Sequence, residues 1–206
     1  MSVADVAEKI NPAVVTILNM QPLSQANSGS FTGVDGLPEI PGIGDLPGMP
    51  EAPSDNQGDN APQTSQADDD QLVPIGSGSG FFADDLGHVI TNAHVVNGAQ
   101  KLSVSFDKQY DTTVYQAEIV WSVPEDDLAL LKIRGERDFP AIPLGTSSDL
   151  MLGETVIAIG NPMGETHTVS QGIVSGLHRN ANIQTQFGLL KFDDLIQTDA
   201  SINPGN

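Results

Sequence analysis

From residue 76 onward the sequence consists of short apolar runs separated by turn signals, and this alternation constrains the fold more than any other feature. The runs are rich in β-branched residues, and no long amphipathic helix interrupts them. An α/β fold with parallel strands needs such helices and is therefore disfavoured. The pattern is typical of an all-β barrel. The predicted strands are Gly80–Ala83, His88–Thr91, Lys101–Phe106, Thr113–Trp121, Leu128–Ile133, Glu154–Gly160, Val169–Leu177 and Leu190–Thr198.

The first twenty residues predict a short helix followed by a strand. Val3, Val6 and Ile10 recur at helical spacing. Asn11 precedes Pro12, and a residue before proline is pushed out of the helical region, so we expect the helix to end there. The β-branched run over residues 13–18 then predicts a buried strand.

Residues 21–74 differ in composition from the rest of the chain. They contain eight prolines, seven glycines and nine acidic residues, with no lysine or arginine. Such a stretch buries too little apolar surface to offset the entropy of ordering it, which predicts a disordered loop. Two roles remain open, a solvated spacer and a docking or assembly loop. The second would use the spaced apolar residues Phe31, Leu37, Ile40, Ile43, Leu46 and Met49.

Charge and composition exclude several classes of function. The formal net charge is −19, which disfavours binding to nucleic acid or to an anionic membrane surface. The absence of cysteine excludes a disulfide framework, a thiolate zinc site and a cysteine nucleophile. No run of apolar residues is long enough to span a membrane, and the first twenty residues lack the features of a signal peptide.

His94 and Asp127 are the candidate catalytic residues, because each lies at the end of a predicted strand. His94 follows one strand and Asp127 precedes another. A neutral imidazole can take the proton of a serine hydroxyl, and a carboxylate can fix its tautomer and stabilise the imidazolium. The order histidine before aspartate is that of the chymotrypsin arrangement.

Six motifs together give the sequence a family resemblance. They occur in the same order as in the protease domain of the HtrA/Deg serine endopeptidases, which this chain resembles over residues 1–20 and 75–206. The motifs are Gly-Ser-Gly-Ser-Gly-Phe-Phe, Val-Ile-Thr-Asn-Ala-His-Val-Val, Asp-Asp-Leu-Ala-Leu-Leu-Lys, Val-Ile-Ala-Ile-Gly-Asn-Pro-Met-Gly, Val-Ser-Gln-Gly-Ile-Val-Ser and Ile-Gln-Thr-Asp-Ala-Ser-Ile-Asn-Pro-Gly-Asn.

The resemblance implies a trypsin-like double β-barrel. Residues 1–140 would form the first barrel, with the acidic loop at 21–74, and residues 141–206 would form an incomplete second barrel. It implies that His94 is the general base and that Asp127 orients it. The nucleophilic serine would follow directly after Asn206, so the chain as given is expected to be inactive.

Two further site residues are implied by the same resemblance. Gly205 would donate one oxyanion N–H group. Ser201 would lie at the base of the specificity pocket, where a small residue suits apolar substrate side chains.

The resemblance also implies partners, location and cofactor use. The expected substrates are unfolded or damaged polypeptides, cleaved for protein quality control in the periplasm or another extracytoplasmic compartment. A trimer-based homo-oligomer is expected for the full-length parent, and no cofactor or metal is expected. The alternative is a non-catalytic, chaperone-like protein that binds unfolded polypeptides on apolar surface.

The remaining polar motifs predict ordinary structure. His88, His167 and His178 have no second ligand at metal spacing, so a zinc site is disfavoured. The glycine-rich stretch over residues 76–80 lacks the lysine and the helix of a phosphate loop. Residues 178–190 are polar and predict a loop, which by position resembles an activation loop of the family.

Overall fold

The computed structural model describes residues 2–22, 72–135, 137–161, 167–185 and 188–202. Residues 23–71 of the predicted acidic loop therefore lie outside the described residues. In the described part, no helix is long and apolar enough to cross a membrane. The described elements are helices α1 (Val3–Ile10) and α2 (Ala93–Val96), 3₁₀ turns at Asn11–Ala13 and Pro124–Asp126, and strands β1 (Val14–Pro22), β2 (Leu72–Phe82), β3 (His88–Thr91), β4 (Lys101–Ser105), β5 (Val114–Val123), β6 (Leu128–Ile133), β7 (Thr155–Gly160), β8 (Thr168–Thr185) and β9 (Gly188–Thr198).

Helix α1 begins and ends where local chemistry dictates. Ser2 and Asp5 form a reciprocal capping box, in which the Asp5 N–H donates to Ser2 Oγ over 3.2 Å and the Ser2 N–H donates to Asp5 Oδ2 over 2.7 Å. The helix stops at Ile10, and the predicted break at Asn11 and Pro12 becomes a 3₁₀ turn that leads into β1.

Strands β1 to β6 form a closed barrel in the order β1-β2-β3-β6-β5-β4, which confirms the all-β prediction. The predicted loop over 21–74 is wrong at its two ends, because β1 extends through Pro22 and β2 begins at Leu72. In the antiparallel pairing of β3 with β6, Thr91 lies opposite Ala129.

Buried residues that alternate with less buried ones along β3 and β6 fill part of the barrel interior. In β6, Ala129, Leu131 and Ile133 are fully buried while the residues between them are less so. Three aromatic rings stack at one end of this core, with Phe82 centred 5.3 Å from Phe106 and 4.9 Å from Phe139. Period-two burial of this kind fixes the register of the strands, because a slip by one residue would expose the apolar set.

Strands β7, β8 and β9 form a separate three-stranded antiparallel sheet. The prediction of a loop over residues 178–190 is wrong, because β8 continues to Thr185 and β9 begins at Gly188. Pairing along this hairpin is irregular, with register shifts on both sides of Arg179. His178 and Asp194 near these shifts have positive φ angles of 53° and 62°. Cross-strand hydrogen bonds thus outweigh the polar composition that indicated a loop.

Direct hydrogen bonds join the barrel to the second sheet at the end of β7. Asn161 follows β7 and is fully buried. Its backbone N–H donates to Ser79 Oγ of β2 over 2.7 Å, and its carbonyl accepts from the Thr16 hydroxyl of β1. The end of β7 is therefore tied to two barrel strands.

A buried histidine makes a second connection between the barrel and the sheet. His167 precedes β8, and its side chain is only 3% exposed. Its Nδ1 lies 3.1 Å from Asp107 Oδ2, and its Nε2 lies 3.3 Å from the Val14 carbonyl oxygen. Both ring nitrogens thus lie within hydrogen-bond distance of oxygen atoms in the barrel part of the chain.

We expect Asp111→Asn to reduce the free energy of unfolding at neutral pH, with an effect that shrinks in acid. Asp111 accepts the Thr113 N–H over 2.8 Å and the Tyr115 hydroxyl over 2.9 Å, and it pairs with Arg137 over 3.1 Å. The hydrogen bond from Thr113 is the main cause that lowers the pKa of the Asp111 carboxyl. A lowered pKa stabilises the fold above the unfolded value of about 4, and the contribution is lost as the pH falls through the folded pKa.

The measurement is urea unfolding of both proteins at about pH 7 and about pH 3. The gap in unfolding free energy between wild type and Asp111→Asn should narrow in acid. Asp138→Asn, at an exposed position, is the control and should show little gap at either pH. A constant gap for Asp111→Asn would contradict the ionic origin of the effect.

Candidate active site

His94 reaches the surface because the helix that carries it buries the residues on either side. After β3 ends at Thr91, Asn92 is extended, with φ −78° and ψ 145°, and occupies the N-cap position of the one-turn helix α2. Ala93 and Val96 of this turn are buried, and residues three apart share one face of a helix. His94 lies off that face, so its side chain remains 65% exposed.

Asp127 lies in a tight turn that aims its carboxylate back toward α2. The 3₁₀ turn at Pro124–Asp126 ends at Asp127, whose φ of 51° and ψ of 41° are left-handed. Aspartate is among the few residues other than glycine that adopt this conformation readily. Since β6 starts at the next residue and pairs with β3, Asp127 and His94 lie at the same end of these two strands.

The two predicted catalytic side chains are hydrogen-bonded to each other. His94 Nδ1 lies 2.7 Å from Asp127 Oδ2, and the backbone N–H of His94 donates to Asp127 Oδ1 over 2.9 Å. An ionised carboxylate only accepts hydrogen bonds, so the ring proton of neutral His94 is on Nδ1. The other ring nitrogen, Nε2, is then an acceptor that can take a proton.

Asn92 is a third member of this cluster that the sequence reasoning missed. Its Nδ2 donates to Asp127 Oδ2 over 3.1 Å and to the Asp127 carbonyl oxygen over 3.2 Å. The motif around His94 contains this residue, and its amide two positions before the histidine is the signal that could have indicated it. Three donor groups therefore surround one carboxylate.

A groove of about 710 Å³ adjoins His94. One wall comes from the barrel, where Gly78 permits close contact between β2 and α2. A Cβ atom at Gly78 would lie 2.5 Å from Val95 Cγ2, so a larger residue would require the Val95 side chain to shift. Most other lining side chains are aliphatic, from the barrel and from the second sheet, including Ile90, Leu128, Ile142, Ile157, Ile159 and Ile202. The groove therefore offers an apolar surface beside a proton acceptor.

The other two predicted site residues are Ser201 and Gly205. Ser201 is exposed and precedes Ile202 of the groove wall, and its carbonyl accepts the Ser170 hydroxyl over 2.6 Å. Gly205 lies outside the described residues. Within the described ranges, the hydroxyls of Ser170, Ser175 and Ser201 make no hydrogen bond to His94.

The other histidines pair with carboxylates away from His94. His88 pairs with Asp84 at the start of β3, and His178 pairs with Asp194 across the β8–β9 hairpin. Among the described residues, no three histidine, cysteine or acidic side chains are grouped to hold a metal ion.

Comparison with known proteins identifies the family. Residues 78–206 match the trypsin-like peptidase domain. The chain is 44% identical to protease Do-like 1, chloroplastic, of Arabidopsis thaliana over 65% of its length and 30% of that protein. It is 38% identical to serine protease Do-like HtrA of Bacillus subtilis over 99% of its length and 38% of that protein.

A third relative is a probable periplasmic serine endoprotease DegP-like of Pseudomonas fluorescens. The identity is 36%, over 97% of the chain and 38% of that protein. The chain thus spans about a third of the length of these relatives. The matched family and the relatives agree with the resemblance that the motifs give to a double-barrel protease domain. The chain belongs to the family of trypsin-like peptidase domains.

Proposed function

We propose that this chain provides the general base and the orienting carboxylate of a serine endopeptidase, with His94 and Asp127 in these two roles. The observation that carries the proposal is the 2.7 Å hydrogen bond between His94 Nδ1 and Asp127 Oδ2 beside the groove. Membership in the trypsin-like peptidase family supports it.

The pair supports acyl transfer because His94 takes up one proton and returns it in each of the two steps. As a serine oxygen attacks the substrate carbonyl carbon, His94 Nε2 takes the hydroxyl proton, and Asp127 stabilises the imidazolium that forms. The same proton passes to the amine nitrogen as the peptide C–N bond breaks, which leaves an acyl-enzyme. Water then attacks the acyl carbon while His94 Nε2 takes a proton from it. This proton passes to the serine oxygen as the acyl C–O bond breaks, which releases the acid and restores the serine.

The nucleophile is the conditional part of the proposal. In a polypeptide that continues from Asn206 with Ser-Gly-Gly, that serine is the nucleophile, and the backbone N–H of Gly205 and its own N–H stabilise the oxyanion. A polypeptide that ends at Asn206 has no such serine, and we propose that it is inactive. Loss of one triad member costs several orders of magnitude in rate.

The groove suggests the class of substrate. Its aliphatic lining and the small Ser201 suit apolar side chains, which unfolded or damaged polypeptides expose and folded ones bury.

The names of the bacterial relatives support an extracytoplasmic, periplasmic location. We also propose that the full-length parent forms a trimer-based homo-oligomer. Residues 1–140 would form its first barrel and residues 141–206 part of its second.

A second candidate function is chaperone-like binding of unfolded polypeptides without cleavage. The observation that favours it is the apolar surface of the β7–β9 sheet. Several large apolar side chains there are more than a third exposed, namely Val169, Ile173, Ile183, Leu189, Leu195 and Ile196. Exposed apolar surface of this kind marks interaction sites.

The test compares residues 1–206 with the complete product of the gene that contains this coding sequence. Each is assayed for cleavage of casein and for labelling by a fluorophosphonate, which reacts with activated serines. We expect the complete product to cleave and to be labelled, and His94→Ala to abolish both reactions, because no base remains to activate the serine.

The matched control is His88→Ala, which removes another histidine that is paired with an aspartate, at the start of β3 and away from His94. It should leave cleavage and labelling intact. An unlabelled complete product that suppresses aggregation of a denatured protein would overturn the peptidase proposal in favour of the chaperone-like function. Cleavage that survives His94→Ala would overturn the role of His94.

A further inference from the structure

We propose that Asn92 is a positioning residue that holds the Asp127 carboxylate in place for His94, an inference that rests on the proposed function of this pair. Asn92 does not contact His94 Nε2, where the proton transfer occurs. It acts through Asp127, by fixing the oxygen that accepts the hydrogen bond from the histidine ring.

The first argument is the way the Asn92 amide contacts Asp127. Its Nδ2 lies within hydrogen-bond distance of both the carbonyl oxygen and Oδ2 of Asp127, at 3.2 and 3.1 Å. An amide nitrogen carries two protons, so it can serve both acceptors at once. Because one nitrogen binds the backbone and the side chain of the same residue, rotation of the carboxylate about its χ angles would break one of the two bonds.

The second argument is that Oδ2 is the oxygen on which the pair depends. His94 Nδ1 and Asn92 Nδ2 both donate to Oδ2, whereas the His94 N–H donates to Oδ1. The Asp127 side chain is 24% exposed, so water can compete for it. The Asn92 amide therefore restricts the partly solvated Asp127 carboxylate to fewer hydrogen-bonded orientations.

The third argument is an exchange of capping roles at α2. An asparagine at the N-cap position normally accepts a backbone N–H of the first turn with its side chain. The Asn92 side chain makes no capping hydrogen bond. Asp127 Oδ1 accepts the N–H of His94 in its place, and the Asn92 amide is turned to donate to Asp127. The amide is thus used for the carboxylate and not for the helix.

Three substitutions separate positioning from helix capping. Aspartate and serine cap a helix about as well as asparagine, whereas alanine does not. Asn92→Asp places a second carboxylate against Asp127, and the hydroxyl of Asn92→Ser is shorter than the amide. If Asn92 positions Asp127, then Asn92→Ala, Asn92→Asp and Asn92→Ser all lose the hydrogen bond that orients the carboxylate. If its role were helix capping, Asn92→Asp and Asn92→Ser would preserve that role. The control is Asn97→Ala, at the other end of α2. Asn97 contacts Asn19 through its backbone carbonyl, which the substitution keeps.

The primary readout is nuclear magnetic resonance of His94 in residues 1–206, which needs no peptidase activity. Wild type and Asn97→Ala should show a hydrogen-bonded Nδ1–H proton far downfield and the Nδ1–H tautomer. In the three Asn92 variants this resonance should broaden or disappear, with circular dichroism unchanged. In the complete gene product, the same variants should lower kcat by roughly 10- to 100-fold with little change in KM, the range for loss of a hydrogen bond to a charged group.

The outcomes distinguish this inference from the function on which it rests. An Nδ1–H resonance that is present in wild type and unchanged in all three variants overturns the role of Asn92 but leaves the pair intact. Recovery of the resonance in Asn92→Asp or Asn92→Ser assigns the residue to capping and also overturns it. The absence of the resonance from wild type itself overturns the His94–Asp127 pair, and with it the proposed function.

Discussion

We expect Asp127→Asn to lower kcat of the complete gene product by about 10⁴-fold while the fold stays intact, the size of effect known for this substitution in a serine–histidine–aspartate triad. The amide oxygen of the new side chain can still accept the backbone N–H of His94, as Oδ1 does now. Its nitrogen then faces His94 Nδ1, where Oδ2 lies in the wild type. Two donors cannot share this contact, so the ring proton moves to Nε2, and no acceptor remains for the serine proton.

The measurement is steady-state cleavage of a peptide substrate by wild type and Asp127→Asn, with circular dichroism to verify the fold. Asp84→Asn is the matched control, since Asp84 also pairs with a histidine at the other end of β3. It should leave kcat near the wild-type value. A variant at Asp127 that keeps more than about a tenth of the wild-type kcat would contradict the orienting role, since the expected loss is three orders of magnitude larger.

Phe82→Ala should destabilise the fold by about 3–5 kcal/mol, the range for removal of a buried aromatic ring. Phe82 is fully buried, and its ring stacks on both Phe106 and Phe139. Removing it takes away apolar burial and leaves a cavity that the two remaining rings cannot fill without moving.

Urea unfolding at equilibrium measures this loss. Leu86→Ala, which truncates an apolar side chain that is 65% exposed, is the control and should change stability by less than about 0.5 kcal/mol. A loss of less than about 1 kcal/mol for Phe82→Ala would show that the three-ring cluster does not hold the barrel core together.

The strands that could be predicted from the sequence are those whose limits are set locally. The predicted bounds of β3 and β6 are the observed ones, because a turn precedes each and one face of each is apolar. Residues 72–79 of β2 are not predicted as strand, since they contain a proline and a run of alternating glycine and serine, which do not favour strands. A Cβ atom at Gly80 would lie 2.8 Å from Ile17 Cδ1, so this glycine serves the close approach of packed strands.

The candidate site was predictable to a similar extent. Its two titratable residues follow from motifs, and in the structure their side chains are hydrogen-bonded to each other, whereas their catalytic roles stay a prediction. The contribution of Asn92 depends on Asp127, which lies 35 positions further along the chain. The contact of His167 with Asp107 spans 60 positions. No local pattern records such contacts, because they form only when distant parts of the chain fold together.

The two positions where His167 and Asn161 join the barrel to the second sheet limit what can fold alone. The six-stranded ladder closes on itself, yet Asp107, the Val14 carbonyl and the Thr16 hydroxyl turn toward groups that come from residues beyond the barrel. If the polypeptide were cut after the barrel strands, the Thr16 hydroxyl and the Val14 carbonyl would lose these partners, and the Asp107 carboxylate would keep only its hydrogen bonds from Gln109. We therefore expect the barrel and the sheet to unfold in one cooperative transition, so that a closed ladder here is not an autonomous folding unit.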